Sequence, residues 1–184
     1  MNYQHLYLEK INLNDSNLDQ SSPENTFTYC TNQLFGLIFN EFQNIIPPIF
    51  AEIIPAFKDH FWGRKNKEWR LYNFQNEVVN EASFRSVSAF CNGYSCVSKD
   101  GKTFGFINHK VEFEISPKYF GGTHLGNLLF AVKIAEETNK YKIIDRQENL
   151  IFSFSFNEIP TFTDVVILIL KSRKPLLEWL RLSK

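Results

Sequence analysis

The spacing of apolar residues limits the fold of this chain more than any other feature, and it changes once along the sequence. Between Phe27 and Ile46, apolar residues recur three or four positions apart, which is typical of an amphipathic helix. From Trp69 onward, apolar and polar residues tend to alternate, as they do over residues 111–115. Alternation indicates strands with one buried face. The sequence therefore predicts helices first and an antiparallel sheet afterwards.

Local signals at the expected helix ends agree with this division. Ser22, Pro23 and Glu24 combine an N-cap hydroxyl, a proline for the first helical position and an acid for the first turn. The first helix is expected to end before Pro47. A second helix is expected from Pro48 to residue 61, and Pro55 should kink it or split it near Ile54. A capping Thr123 predicts a third helix over residues 124–138, and residues 175–182 predict a fourth.

Strand signals are clearest in the second half of the chain. Asp100-Gly101 lies between two apolar runs and predicts a hairpin over residues 94–106. Further strands are expected within residues 3–13, over 69–73 and 111–115 with an end at Pro117, and over 141–144 paired with 150–156. Residues 163–170 fit either a strand or a helix.

Together these elements predict one α+β domain over residues 1–184, with an antiparallel sheet of about five to six strands, two N-terminal helices, a mid-chain helix and a C-terminal helix. We find no internal repeat with a period of about 20–50 residues. The basic segment 63–67 is the best candidate for a boundary between the helical and strand-rich parts. The residues predicted to form the core are Phe27, Leu34, Ile38, Phe113, Leu128, Val132, Phe154 and Leu168.

Charge and cysteine content narrow the classes of function. The formal net charge is zero, which argues against non-specific nucleic-acid binding. Residues 1–60 nevertheless carry two Lys against seven Asp or Glu. An odd count of three cysteines and a polar N-terminus without an apolar signal region predict free thiols and a cytoplasmic location. No apolar run reaches the roughly 18–20 residues of a membrane helix.

Several side-chain groups suggest chemistry, and each has a simpler structural explanation. Cys91 and Cys96 with His109 or His124 could bind zinc, although buried free cysteines are commoner. Residues 121–124 could hold an anion at a helix start, or simply form a glycine turn.

Three further groups of side chains can also be explained either by a function or by a structural role. Glu112 and Glu114 could act as an acid–base pair, or face solvent on a strand. His60 beside Asp59 could be an oriented base, or a residue at a helix end. The segment 62–70 combines Trp with Lys and Arg, as nucleic-acid sites do, but it is short.

None of these groups is a specific motif for catalysis, for cofactor binding or for metal binding. We expect a non-enzymatic protein-binding module. Its most specific form is an immunity or antitoxin-type protein that covers a basic toxin domain. The acids expected to contact such a partner are Glu41, Glu52 and Asp59, because they lie outside the apolar stripes of the predicted helices. The alternatives are an enzyme or ligand-binding domain with a cleft near residues 121–124, and a phage or mobile-element structural protein.

Overall fold

The computed structural model describes residues 7–10, 26–39, 44–126, 128–138, 140–151 and 157–160. These residues form strands and turns, and no helix occurs among them, so the α+β prediction is wrong. The strands are β1 (Tyr7–Lys10), β2 (Phe27–Thr31), β3 (Leu34–Phe39), β4 (Asn44–Phe50), β5 (Glu52–Pro55), β6 (His60–Lys65), β7 (Glu68–Asn73), β8 (Ser86–Val87), β9 (Ser95–Ser98), β10 (Phe104–Ile107), β11 (Phe113–Tyr119), β12 (Gly122–Gly126), β13 (Leu129–Lys133) and β14 (Tyr141–Ile144).

Consecutive strands pair antiparallel to form four small sheets. Sheet 1 contains β1 to β4, sheet 2 contains β5 to β7, sheet 3 contains β8 to β11, and sheet 4 contains β12 to β14. Each sheet packs on the next one in chain order: one apolar cluster joins sheets 1 and 2, a second joins sheets 2 and 3, and a third joins sheets 3 and 4. Sheets 2 and 3 are therefore buried on both faces. Among the described residues, no helix is long and apolar enough to cross a membrane.

The first predicted helix is a hairpin of β2 and β3, and the burial of successive residues in β3 explains why its apolar spacing is not that of a half-buried strand. In β3, the consecutive residues Gly36 to Phe39 are all buried, so the two-residue alternation of a half-buried strand is lost. The turn between β2 and β3 is made by Asn32 and Gln33, with φ values of 51° and 63°. Such a turn joins antiparallel strands tightly, but its usual sign in a sequence is Asn-Gly or Asp-Gly. Neither dipeptide occurs at this turn.

The second and third predicted helices are also strands. Residues 48–61 contribute to β4, β5 and β6, while residues 124–138 form most of β12, all of β13 and the loop after it. Pro47 and Pro48 lie within β4, which is at the edge of its sheet among the described strands. They fall where Gly36 alone stands opposite three residues of β4, so the ladder is already interrupted there. For the same reason Pro117 does not end β11, which continues to Tyr119.

Several of the predicted strands are confirmed. The predicted strands within 3–13, over 69–73 and over 141–144 correspond to β1, β7 and β14, and the Asp-Gly hairpin joins β9 to β10. At this turn the backbone N–H groups of Thr103 and Lys102 donate to the Asp100 carboxylate and hold its pKa below the usual range. The predicted boundary at 63–67 is wrong, because these residues form the β6–β7 hairpin.

The predicted core is confirmed in part. Ile38 and Val132 are buried, and Phe27 and Phe113 are half-buried. Leu34 and Leu128 are each 38% exposed, so they do not belong to the core. Phe154, Leu168 and the predicted segments 163–170 and 175–182 lie outside the described residues.

The structure reveals an internal repeat whose period is longer than the roughly 20–50 residues of common repeat proteins. Gly36, Ile46, Pro48 and Phe50 each stand 69 residues before their counterparts, which are Gly105, Ile115, Pro117 and Tyr119. The strand pairing is repeated as well. In sheet 1, Phe35 pairs with Phe50 and Leu37 with Ile46, with a register shift between the two pairs. In sheet 3, Phe104 pairs with Tyr119 and Phe106 with Ile115, again with a register shift between them. Sheets 1 and 2 therefore form one unit that sheets 3 and 4 repeat. Stacking of such units buries faces that a single unit leaves open.

Candidate interaction surface

One strand presents apolar side chains to solvent. On β4, Ile46 and Phe50 point into the cluster shared with sheet 2, whereas Ile45 is 60% exposed and Ile49 is 37% exposed. Pro47 between them is also exposed, as is Leu34 on the neighbouring β3. We call these four residues (Leu34, Ile45, Pro47 and Ile49) the β4 surface. Exposed apolar patches often mark interaction sites.

The internal repeat supplies a control for this surface. The residues 69 positions after Pro47 and Ile49 are Ser116 and Lys118, and both are exposed on β11. Lys118 forms an ion pair with Glu148. The fold therefore accepts polar side chains at these two positions, so the apolar residues of β4 are not required by the architecture.

The residue 69 positions after Ile45 is Glu114, but the register of β11 shifts at this point and Phe113 takes the equivalent pairing position. Ile45 pairs with Ile38 in sheet 1 as Phe113 pairs with Ile107 in sheet 3. Phe113 packs against the cluster between sheets 2 and 3, while Ile45 remains largely exposed. This end of the β4 surface thus corresponds to a position that is covered in the second repeat.

The geometry of β4 indicates how a partner would contact it. An edge strand can pair with a strand from another molecule through free N–H and C=O groups. Pro47 and Pro48 have no N–H to donate, so they weaken such pairing in the middle of β4. Contact through side chains is therefore favoured over addition of a strand.

The acids predicted to bind a partner do not form one patch in the described part of the chain. Glu52 begins β5 and lies 2.9 Å from Arg64 Nη2, and Asp59 lies 3.1 Å from His60 Nδ1 at the other end of the same hairpin. Both side chains are more than half exposed, where single ion pairs contribute little to stability. Glu41 lies outside the described residues. Glu52 is the acid nearest in sequence to the β4 surface.

The basic-aromatic segment 62–70 uses its rings in the core. Trp62 is fully buried and Trp69 is 6% exposed, both in the cluster between sheets 2 and 3. Arg64 covers the Trp69 ring, with its Cζ atom 5.7 Å from the ring centroid. A ring that stacks on a base must have a free face. These two rings therefore serve packing.

Among the cysteine and histidine residues considered for zinc, Cys91 and His124 contact each other through their backbone carbonyls, which leaves them short of a set of ligands. Burial raises the pKa of Cys96 to about 12, so its thiol is protonated at neutral pH. Cys91 Sγ donates to the carbonyl oxygen of His124 at 3.3 Å, and the His109 ring packs on Phe57 with centroids 4.1 Å apart. In the described ranges, no three residues among His, Cys, Asp and Glu are grouped to hold a metal ion.

The remaining candidates for chemistry also have structural roles. Residues 121–124 do not start a helix, because Gly122 to His124 belong to β12. Asn108 Nδ2 donates to Glu112 at 3.2 Å, while Glu114 forms an ion pair with Arg146. The two glutamates therefore bind different neighbours and do not act as a pair.

Sequence reasoning missed the β4 surface because it assigned these residues to two helices. In that assignment, Ile45 and Ile49 belong to buried stripes. The available signal was Pro47-Pro48 inside an apolar run, which is compatible with an edge strand as well as with a helix boundary.

Comparisons with known proteins find only weak similarity, and it is similarity of structure. No protein-family model matches the chain, and no curated protein matches it. A solved structure of KlHsv2 with loop 6CD replaced by a Gly-Ser linker is 9% identical, covers 71% of this chain and 48% of that one, and has a TM-score of 0.46. The structure of Kluyveromyces lactis Hsv2p is also 9% identical, covers 68% and 44%, and has a TM-score of 0.44. The chain spans about half the length of these structures, and similarity at this level assigns neither a family nor a function.

Proposed function

We propose that this chain is a non-enzymatic protein-binding module that contacts its partner through the β4 surface. The observation that carries the proposal is the contrast within the repeat. Pro47 and Ile49 are exposed and apolar where the second repeat has Ser116 and Lys118. Each Å² of apolar surface removed from water contributes about 25 cal/mol. Covering Ile45, Pro47 and Ile49 would therefore favour association.

The side chains considered for catalysis support the same choice. Two of them bind neighbours that the fold supplies: Cys91 donates to a backbone carbonyl, and Glu114 forms an ion pair with Arg146. A general base needs a partner positioned for the substrate. A binding module requires no such arrangement.

The β4 surface can be tested by charge substitution. We expect the Ile45→Lys, Ile49→Lys double variant to lose a protein that wild type retains in affinity purification from its native cells. Two buried lysine charges at an interface would be desolvated without partners, which opposes binding. The stability of the free protein should change by no more than about 0.5 kcal/mol, because both sites are on the surface.

A matched control uses the second repeat. Ser116→Lys together with Ile134→Lys adds the same charge at exposed positions away from β4, so this variant should retain the partner. Equal recovery of the partner with both double variants would show that β4 is not the binding surface. Failure of wild type to retain any protein reproducibly would remove the proposal of a binding module.

The more specific proposal is an immunity or antitoxin-type protein with a basic partner. It is supported by the exposure of Glu52 and Asp59 and by the acidic balance of residues 1–60. Opposite charges accelerate association, and screening by salt reduces this acceleration because the Debye length is about 10 Å at 0.1 M.

This version predicts a kinetic effect. Glu52→Lys with Asp59→Lys should slow association with the product of the adjacent gene, and the difference from wild type should shrink as salt increases. Association rates measured at two salt concentrations would test this effect. The Glu41→Lys variant would test the third acid in the same assay. Salt-independent on-rates unaffected by the reversals would reject these acids, and absence of binding to the neighbour's product would reject the immunity version.

A further inference from the structure

The chain contains a single Asn-Gly pair, Asn92-Gly93, and it forms the two-residue turn before β9. The N–H of Cys91 donates to the carbonyl of Tyr94 at 2.8 Å, and the N–H of Tyr94 donates back at 3.2 Å. Asn92 and Gly93 have φ values of 48° and 91°, as such a turn requires. Asn92 is exposed, and a Cβ atom at Gly93 would meet no atom within 4 Å. Opening of the turn therefore displaces no side chain at Gly93.

An Asn-Gly pair can modify itself. Glycine has no Cβ atom, so its backbone nitrogen reaches the preceding side-chain amide with little hindrance. The nitrogen of Gly93 bonds to Cγ of Asn92 and closes a cyclic imide, and the Nδ2 group leaves as ammonia with the proton from Gly93. Water then opens the imide at one of its two carbonyl carbons and gives aspartate or isoaspartate. Water is the only co-reactant, so the reaction needs neither an enzyme nor an oxidant.

The residue that follows distinguishes Asn92 from other asparagines in turns. Three further described asparagines have a left-handed backbone: Asn32, Asn66 and Asn76. Each of them precedes a residue with a long side chain, which crowds the attacking nitrogen. Asn92 therefore combines an exposed turn with the least hindered neighbour.

Asp100-Gly101 is the other turn in which glycine follows a side chain with a carbonyl carbon at Cγ. The Asp100 carboxylate accepts from the N–H groups of Thr103 at 2.8 Å and Lys102 at 2.7 Å, so it is both charged and held in place. A carboxylate anion resists attack by a nitrogen nucleophile. The Asn92 amide is neutral, and its Nδ2 group donates to Cys91 Sγ at 3.4 Å, a weak bond to sulfur.

The Asn92 turn lies against sheet 4. Cys91 Sγ donates to the carbonyl oxygen of His124 at 3.3 Å, and His124 Nδ1 lies 3.0 Å from the carbonyl oxygen of Cys91. A Cβ atom at Gly126 would lie 3.6 Å from Asn92 Nδ2, so the Asn92 side chain borders the end of β12. Deamidation replaces an amide that donates to Cys91 with a carboxylate that cannot donate. Isoaspartate also inserts a methylene group into the backbone, which disturbs the pairing across the turn.

We propose that Asn92 is a site of spontaneous deamidation, and that its conversion weakens the contact between sheets 3 and 4. Attack on Cγ requires rotation of the Asn92 backbone out of the turn, so the rate follows the opening of this turn. The contact between the two sheets then weakens with the age of the molecule. The β4 surface belongs to sheet 1, so this proposal does not depend on the proposed function.

Storage of the purified full chain at neutral pH, followed by proteolysis and mass spectrometry, tests the proposal. We expect Asn92 to gain the mass that replacement of an NH2 group by OH adds, about tenfold faster than Asn76, because Asn76 precedes a glutamate. Stored protein should also unfold at a lower urea concentration than fresh protein, since part of it carries the altered turn.

The Asn92→Gly variant is the matched control, because glycine accepts the left-handed conformation and has no amide to react. Its urea midpoint should not change during the same storage. Absence of the mass gain at Asn92, or an equal rate at Asn76, would overturn the proposal. A mass gain that leaves the wild-type midpoint unchanged would also overturn it, and so would an equal fall of the midpoint in Asn92→Gly.

Discussion

Replacing Gly105 with alanine is expected to destabilise the protein by about 3 kcal/mol. A Cβ atom at this position would lie closer than 3.0 Å to the carbonyl oxygen of Ile115 and to the backbone nitrogen of Pro117. Both atoms belong to the backbone of β11, so relief requires β10 and β11 to separate. Chemical denaturation monitored by tryptophan fluorescence would measure the loss.

Two further variants define this effect. Gly36→Ala should behave in the same way, because its Cβ would approach the carbonyl oxygen of Ile46, the counterpart of Ile115. Gly93→Ala meets no atom within 4 Å but has a φ of 91°, so its cost should be limited to about 1–2 kcal/mol of backbone strain. A smaller loss for Gly105→Ala than for Gly93→Ala would mean that the two strands are not as close as described.

Truncation of Trp62 to alanine is expected to cost about 3–5 kcal/mol, the range for removal of a large aromatic residue from a core. Trp62 is completely buried, and it contacts Phe84 and Phe90 where sheet 2 meets sheet 3. A cavity at this point would weaken the packing of sheet 2 on sheet 3, where the two repeats meet. Thermal and urea unfolding would both report the loss.

A milder variant separates packing from the presence of an aromatic ring. Trp62→Phe keeps a ring against Phe90 and removes part of the volume, so its cost should be well below that of Trp62→Ala. If both variants unfolded at the wild-type midpoint, Trp62 would be at the surface. The segment 62–70 would then again be a candidate for stacking on nucleic-acid bases.

The strands that could be predicted are those with a local signal. Asp100 and Gly101 satisfy the conformation that a tight hairpin requires, and the structure has a hairpin there. The strand over 69–73 was predictable from alternation, and it is β7. These elements depend on neighbours in the sequence, so the sequence alone contains the necessary information.

The interaction surface could not be predicted, because exposure is a property of the packed protein. Ile45 and Ile46 are identical side chains next to each other, yet Ile45 is 60% exposed and Ile46 is 2% exposed. The difference follows from which face of β4 meets sheet 2. No local pattern distinguishes the two residues.

The sequence by itself determined that the chain has an aromatic core, where the tight hairpin at Asp100 lies, and which β-branched and aromatic segments favour strands. Tertiary structure alone decided that residues 27–39 form strands β2 and β3 and not a helix. Spacing that resembles a helix arises there because Leu37 is buried against sheet 2 while Ile38, on the opposite face, is also buried. A strand that is buried on both faces has no polar face, so its period of two is not visible in the sequence.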